Sequence, residues 1–228
     1  MIRSRKPAPS DRNLCVRTHR GACAYNNNVL SRYLTEDHGL WIQNKKRVVP
    51  LFLLNDIARY WRIMVVDFAY KQRTRANKGY ALRSIKLGLS RKLIYVSGLL
   101  ACFSCQLDFP EDDWQSMSAA DSPQLLIDHL RRILAQTPLD ILASRLLQYE
   151  NLLGVSKQLF DAYDRFIGLL ANEELRKHLE HLPLENLETD AVYQEGRSIR
   201  HAFGDALAKI FLTPGSELYN LTIKYGVF

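Results

Sequence analysis

Between Leu54 and Leu100 the chain carries two segments whose apolar residues recur with helical period, separated by a basic loop that contains glycine. In the first, Ile57, Trp61, Met64, Val65 and Phe68 fall on one side of the wheel, and the pattern predicts that this side is buried. The opposite side collects Asp56, Arg59, Tyr60, Asp67, Tyr70 and Lys71. That stripe mixes both charge signs with two phenols, which core packing does not require. In the second segment Leu82, Ile85, Leu89, Leu93, Val96 and Leu100 share a face, with Arg83, Lys86, Ser90 and Ser97 along an adjacent one. The spacing predicts helices from about Asn55 to Arg75 and from about Tyr80 to Ala101. Between them, Ala76, Asn77, Lys78 and Gly79 supply residues that tolerate the left-handed backbone of a helix end.

Further along, helix signals follow one another. Ser122-Pro123 places a cap and a first-turn proline ahead of Gln124 to Ala135, and Thr137-Pro138 repeats the device with Asp140 three residues after the cap. An apolar 3.6-residue pattern runs from Leu139 to Leu170, with Gly154 as the expected break. Shorter helices are expected from Asn172 to His181, Glu188 to Leu212 and Ser216 to Tyr225, separated by Pro183 and by Thr213-Pro214-Gly215. No stretch alternates with period two for long enough to make a strand. The expected fold is all-α, a helical bundle with largely antiparallel neighbours and short connections.

Charge divides this chain. Residues 1–28 form a basic leader, Arg-rich and nearly free of acids like a transit peptide but without an amphipathic face. Residues 26–107 carry fourteen basic and four acidic side chains, whereas 108–228 carry eleven and nineteen. We therefore divide the chain into the leader, a basic helical hairpin region at 29–107 and an acidic helical bundle at 108–228 packed on it. A net charge of +7 with this asymmetry points to a polyanion-facing region on a scaffold, or to two halves that neutralise each other.

Four cysteines, Cys15, Cys23, Cys102 and Cys105, are too few and too scattered for a disulfide-stapled secreted domain, and a reducing, cytoplasmic setting fits them. Cys102 and Cys105 have the spacing of half a zinc site, which only Cys15, Cys23 and His19 would complete. No run of eighteen uncharged apolar residues occurs, so no membrane span is expected.

The candidate chemistry is anion binding. Arg83, Lys86 and Ser90 are spaced i, i+3 and i+7, so they line one side of a helix and could track successive phosphates. Arg59 and Lys71 would face them from the first helix, and Tyr60 would stack a base. The alternative is that Arg59 and Lys71 pair with Asp56 and Asp67, which stand about three turns apart and are too distant to chelate one ion together. Asp108, Glu111, Asp112 and Asp113 form an acidic cluster in a Pro-containing linker, which reads as a solvated loop.

The runs LNDIARYWR, VDFAYK, ALRSIKLGLSRKLIYVSGLL and the terminal LTIKYGVF resemble the helical C-terminal portion of bacterial nucleotidyltransferase-domain proteins of the DNA polymerase beta-like superfamily, over roughly Asn28 to Phe228. The resemblance implies a helical lobe that lends Lys, Arg, Ser or Tyr contacts to a nucleotide. In that superfamily a separate lobe carries a Gly-Ser turn and an Asp-x-Asp pair that holds divalent metal. Here the only Gly-Ser pair is Gly215-Ser216, with no Asp-x-Asp after it. The chain is thus expected to bind a nucleotide or another phosphate-bearing ligand, with no cofactor of its own. It would see Mg-nucleotide only beside a catalytic lobe or partner protein.

Two further readings stay open. Helical ribonucleases of the HEPN group use an Arg-x4-His signature at a dimer interface, and Arg176 to His181 has that spacing, although Lys177 is polar where the pattern prefers an apolar residue. Alternatively the chain is a scaffold without a small-molecule site, its basic half meeting nucleic acid and its acidic half a basic protein.

Overall fold

The computed structural model describes residues 29–35, 49–74, 77–109 and 122–226. Among these there is no strand, and the fold is all-α. The helices are α1 (29–35), α2 (Leu51–Thr74), α3 (Tyr80–Leu107), α4 (Ser122–Leu134) and α5 (Pro138–Leu146). They are followed by α6 (Leu153–Ala171), α7 (Glu173–His181), α8 (Ala191–Leu212) and α9 (Glu217–Tyr225). The basic leader and most of the acidic linker, with Glu111, Asp112 and Asp113, lie outside the described residues.

Local chemistry explains most boundaries. Thr137 accepts from the Asp140 amide at 3.2 Å and donates its hydroxyl to the Asp140 carboxylate at 2.7 Å, a reciprocal cap ahead of α5. Asn172, Asp190 and Ser216 each accept from first-turn amides of α7, α8 and α9. Several boundaries differ from expectation. α2 starts at Leu51 and not near Asn55, because the Pro50 carbonyl accepts from the Leu54 amide at 2.9 Å and no polar cap is used. The break in the long apolar pattern falls at Leu147–Leu152, where a turn and a 3-10 segment intervene, and Gly154 sits inside the first turn of α6.

α3 is the axis of the molecule. All six residues of its expected apolar face are buried, and beyond them the run from Leu99 to Cys105 is buried on every side, which carries the helix past Ala101 to Leu107. By length and composition α3 is apolar enough to cross a membrane, but 56% of its most apolar window is buried inside the protein. It packs against α2, α4, α5, α7 and α8, while α6 and α8 form the largest helix pair of the second half. One core takes Leu54 and Leu93 together with Phe166, Phe203 and Leu218, so it spans the charge boundary. A smaller cluster joins α1, α3 and α4 through Leu34, Cys105 and Leu126.

α2 is bound less deeply than its pattern predicts. Trp61 stacks on Tyr95, Phe68 meets Tyr80, and Ile57 lies over Gly98, yet this face is half-buried and Val65 is exposed. Only Leu54 and Ala58 of its 24 residues are buried. α2 has a single layer of neighbours, so one long side stays open.

Candidate functional site

An open cleft of about 1150 Å³ lies where α3 begins and α7 ends. One wall is Thr74 at the end of α2, the turn Asn77, Lys78 and Gly79, and then Leu82, Arg83 and Lys86 of α3. The other runs from Glu180 to Glu185 and includes His181 and Pro183.

The turn that builds the first wall depends on two residues with positive φ, Asn77 at 64° and Gly79 at 65°. Asparagine tolerates this region and glycine enters it without strain. The Asn77 amide donates to the Gln72 carbonyl at 3.1 Å, and the Tyr80 amide donates to the Asn77 carbonyl at 3.0 Å, which reverses the chain into α3. Gly79 then occupies the N-cap position, where it has no side chain to offer. The Ala81 and Leu82 amides therefore lack the acceptor that a cap side chain would provide, and the positive end of the α3 dipole lies at the cleft. A Cβ at Gly79 would stand 3.7 Å from the Glu180 carbonyl oxygen, which measures how closely the walls approach.

Arg83 is the unusual residue. Its Nε donates to the Gly79 carbonyl at 3.2 Å, but Nη1 and Nη2 are buried and have no hydrogen-bond partner. Among the described residues neither Arg83 nor Lys86 takes part in an ion pair, although Glu180 and Glu185 line the same cleft. Arginine cannot shed its proton, so a buried guanidinium with two unsatisfied nitrogens carries a desolvation cost of about 1–3 kcal/mol or more.

His181 closes α7 on the facing wall. Its Nδ1 lies 2.8 Å from the Lys177 carbonyl, which only accepts, so Nδ1 donates there. An adjoining cavity of about 550 Å³ also includes His181, together with His178 and Asp190. There His178 Nε2 meets the Asp190 carboxylate at 2.6 Å. Burial pushes the Asp190 carboxyl up, and the Tyr193 amide and His178 outweigh it, so it ends below its ordinary value.

The other sequence-derived candidates fall elsewhere. Arg59 pairs with Asp56 at 3.3 Å and Lys71 with Asp67 at 2.6 Å, both along α2, and neither lines the cleft. Tyr60 is exposed on the outer side of α2. The Ser90 hydroxyl donates to the Lys86 carbonyl at 3.2 Å, one turn beyond the cleft. Arg176 is exposed on α7 and is not part of the cleft, since five residues of helix turn the side chains about 140° apart. Cys102 and Cys105 are buried thiols that burial pushes up, and Asp108 adds to this for Cys105. Among the described residues no three His, Cys, Asp or Glu side chains converge as a metal site, while Cys15, Cys23 and His19 lie outside them.

The chain matches no protein-family model, no curated protein and no solved structure.

The pattern along the chain missed the cleft's far wall. Glu180 and Glu185 stand on a helix end and a proline turn that no local signal connects to α3. Lys78 was legible only as a loop residue, although its place beside an uncapped helix start follows from Gly79 alone.

Proposed function

We propose that the cleft between the start of α3 and the end of α7 binds a phosphate-bearing ligand of nucleotide size. The observation that carries this reading is the unsatisfied guanidinium of Arg83 at an uncapped helix start, next to Lys86. A phosphate oxygen seated on the first turn of α3 would accept from its amides and from both cations. The Arg83 nitrogens are closed off from solvent in the ligand-free chain, so an entering anion engages them by rotation about the last side-chain torsions. Glu180, Glu185 and His181 on the opposite wall suit the hydroxyl or amino groups of a sugar and base.

This is the ligand class that the resemblance to nucleotidyltransferase helical lobes implies. In that role the chain supplies nucleotide contacts, and the metal-binding carboxylates belong to a separate lobe. Calorimetry with ATP, GTP, CTP and UTP, each with magnesium, tests the proposal. Wild type is expected to bind at least one of them, and Lys86→Ala and Arg83→Met each to weaken it about tenfold or more, the equivalent of one lost charge-assisted contact. No heat with any nucleotide, or affinities unchanged in both variants, rejects it.

A second reading is supported by His181. This residue lines a cleft that also holds Arg83 and Lys86, which suits general acid/base cleavage of an RNA phosphodiester. On this reading the phosphate anchor is Arg83 with Lys86, and Arg176 is dispensable. RNA cleavage lost in His181→Ala but kept in Arg176→Ala is the expected pattern, and cleavage that survives His181→Ala removes this reading.

A further inference from the structure

The outward side of α2 serves neither the core nor the cleft. Tyr60, Ile63, Val66 and Tyr70 are 47%, 64%, 66% and 64% exposed. Asp56, Arg59, Ile63, Val66, Tyr70 and Arg73 repeat at alternating three- and four-residue steps, the spacing of a helix-pairing seam, with Tyr60 beside them. This seam lies opposite the residues that contact α3, which are Ile57, Trp61, Met64 and Phe68.

We propose that α2 pairs antiparallel with α2 of a second copy of this chain. The charge order along the seam selects both the partner and the direction. In a parallel pair Asp56 would meet the partner's Asp56, Arg59 the partner's Arg59 and Arg73 the partner's Arg73, so like charges would stack at both ends of the seam. In an antiparallel pair with the two-fold axis between Ile63 and Val66, Ile63 packs on the partner's Val66. Moving outward, Arg59 lies over the partner's Tyr70 as a cation over a phenol ring, and Asp56 reaches the partner's Arg73. Beside the seam the Tyr60 hydroxyl donates to the partner's Asp67. Every contact then occurs twice by symmetry, and the helix offers about 36 Å of length for it. The short-range pairs of Asp56 with Arg59 and Asp67 with Lys71 are solvent-exposed and weakly held, so they yield to this exchange, while the second Asp56 oxygen keeps the hydrogen bond from the Tyr33 hydroxyl of α1 at 2.7 Å.

Sedimentation velocity of the full chain over a concentration series up to sub-millimolar tests the proposal. A reversible dimer is expected in wild type, and a monomer in Val66→Glu and Ile63→Glu, whose circular dichroism and melting should match wild type because both sites are exposed. Orientation is read by charge exchange: Asp56→Arg weakens the dimer, and adding Arg73→Asp restores it. A chain that stays monomeric throughout, a dimer that survives Val66→Glu, or a charge exchange without rescue overturns the proposal.

Discussion

Two buried cations illustrate how much a single residue decides. Arg83 and Arg145 both have covered guanidinium nitrogens, but Arg145 sets Nη2 against both oxygens of the Asp108 carboxylate at 2.6 and 2.8 Å and donates from Nη1 to Gln148 at 2.8 Å, whereas Nη1 and Nη2 of Arg83 find no acceptor. A residue retained at a cost to the apo fold should trade stability against binding. Arg83→Met is therefore expected to raise the ligand-free stability by about 1–2 kcal/mol while weakening the proposed nucleotide binding about tenfold or more, read by thermal melts beside calorimetry. His129 makes the pH-dependent case. Its Nε2–H donates at 2.9 Å to the Ser104 hydroxyl, which itself donates to the Ala101 carbonyl at 2.7 Å. Burial holds this imidazole below its ordinary value of 6.5, against the pull of Asp108 and with help from Arg132 and Arg145. The unfolded chain consequently binds a proton near pH 6.5 that the folded chain refuses, so stability is full above that pH and declines as pH falls below it. The slope is at most about 1.4 kcal/mol per pH unit for one proton. His129→Gln should flatten this part of a melting-temperature profile between pH 7.5 and 5.

At the scale of elements, glycines set how closely helices approach. A Cβ on Gly196 of α8 would fall 2.4 Å from the Ile85 side chain, and one on Gly88 of α3 equally close to Arg200. Equal distances predict unequal costs. Ile85 is fully buried and cannot retreat, so Gly196→Ala is expected to cost about 1–3 kcal/mol by urea denaturation. Arg200 lies near the surface on a flexible stem and can swing away, so Gly88→Ala should cost clearly less. Gly88 sits in the π-helical turn Leu87–Arg91, where α3 widens under the Arg200 stem. Caps were the most legible feature of this scale. Thr137-Pro138 with Asp140 marked the start of α5 from the sequence, because both hydrogen bonds of that cap join residues three apart. The start of α2 was not legible, since Pro50 uses its backbone carbonyl and leaves no side-chain signature.

For the whole molecule, the ion pair enclosed in the fold lies within the acidic half, at the point where that half begins. Arg145 of α5 holds Asp108 at the end of α3, with His129 of α4 at 3.5 Å from the same carboxylate. Arg145→Ala removes the buried cation and leaves Asp108 beside a neutral imidazole. We expect a loss of about 2 kcal/mol or more, discounted from a fully buried pair because Asp108 is partly exposed. The measurement is a urea midpoint that falls while its slope is unchanged. Most other ion pairs lie on the surface, between neighbours one helical turn apart, and removing them should change little.

Helical period, caps and breaking residues acted within a few positions of one another, and they alone determined that the chain would be α-helical, where most helices start and that Arg59 and Lys71 have acids within reach. Which cations remained unsatisfied depended on the tertiary structure. The end of α7 meets the start of α3 across a long stretch of sequence, and only that meeting encloses Arg83 and places His181 opposite Lys86. Burial likewise required neighbours: the same amphipathic spacing seals α3 on every side from Leu99 to Cys105 and leaves the outer side of α2 bare, because α3 runs through the middle of the helices, whereas α2 lies along α3 on one side and meets α1 only near its start.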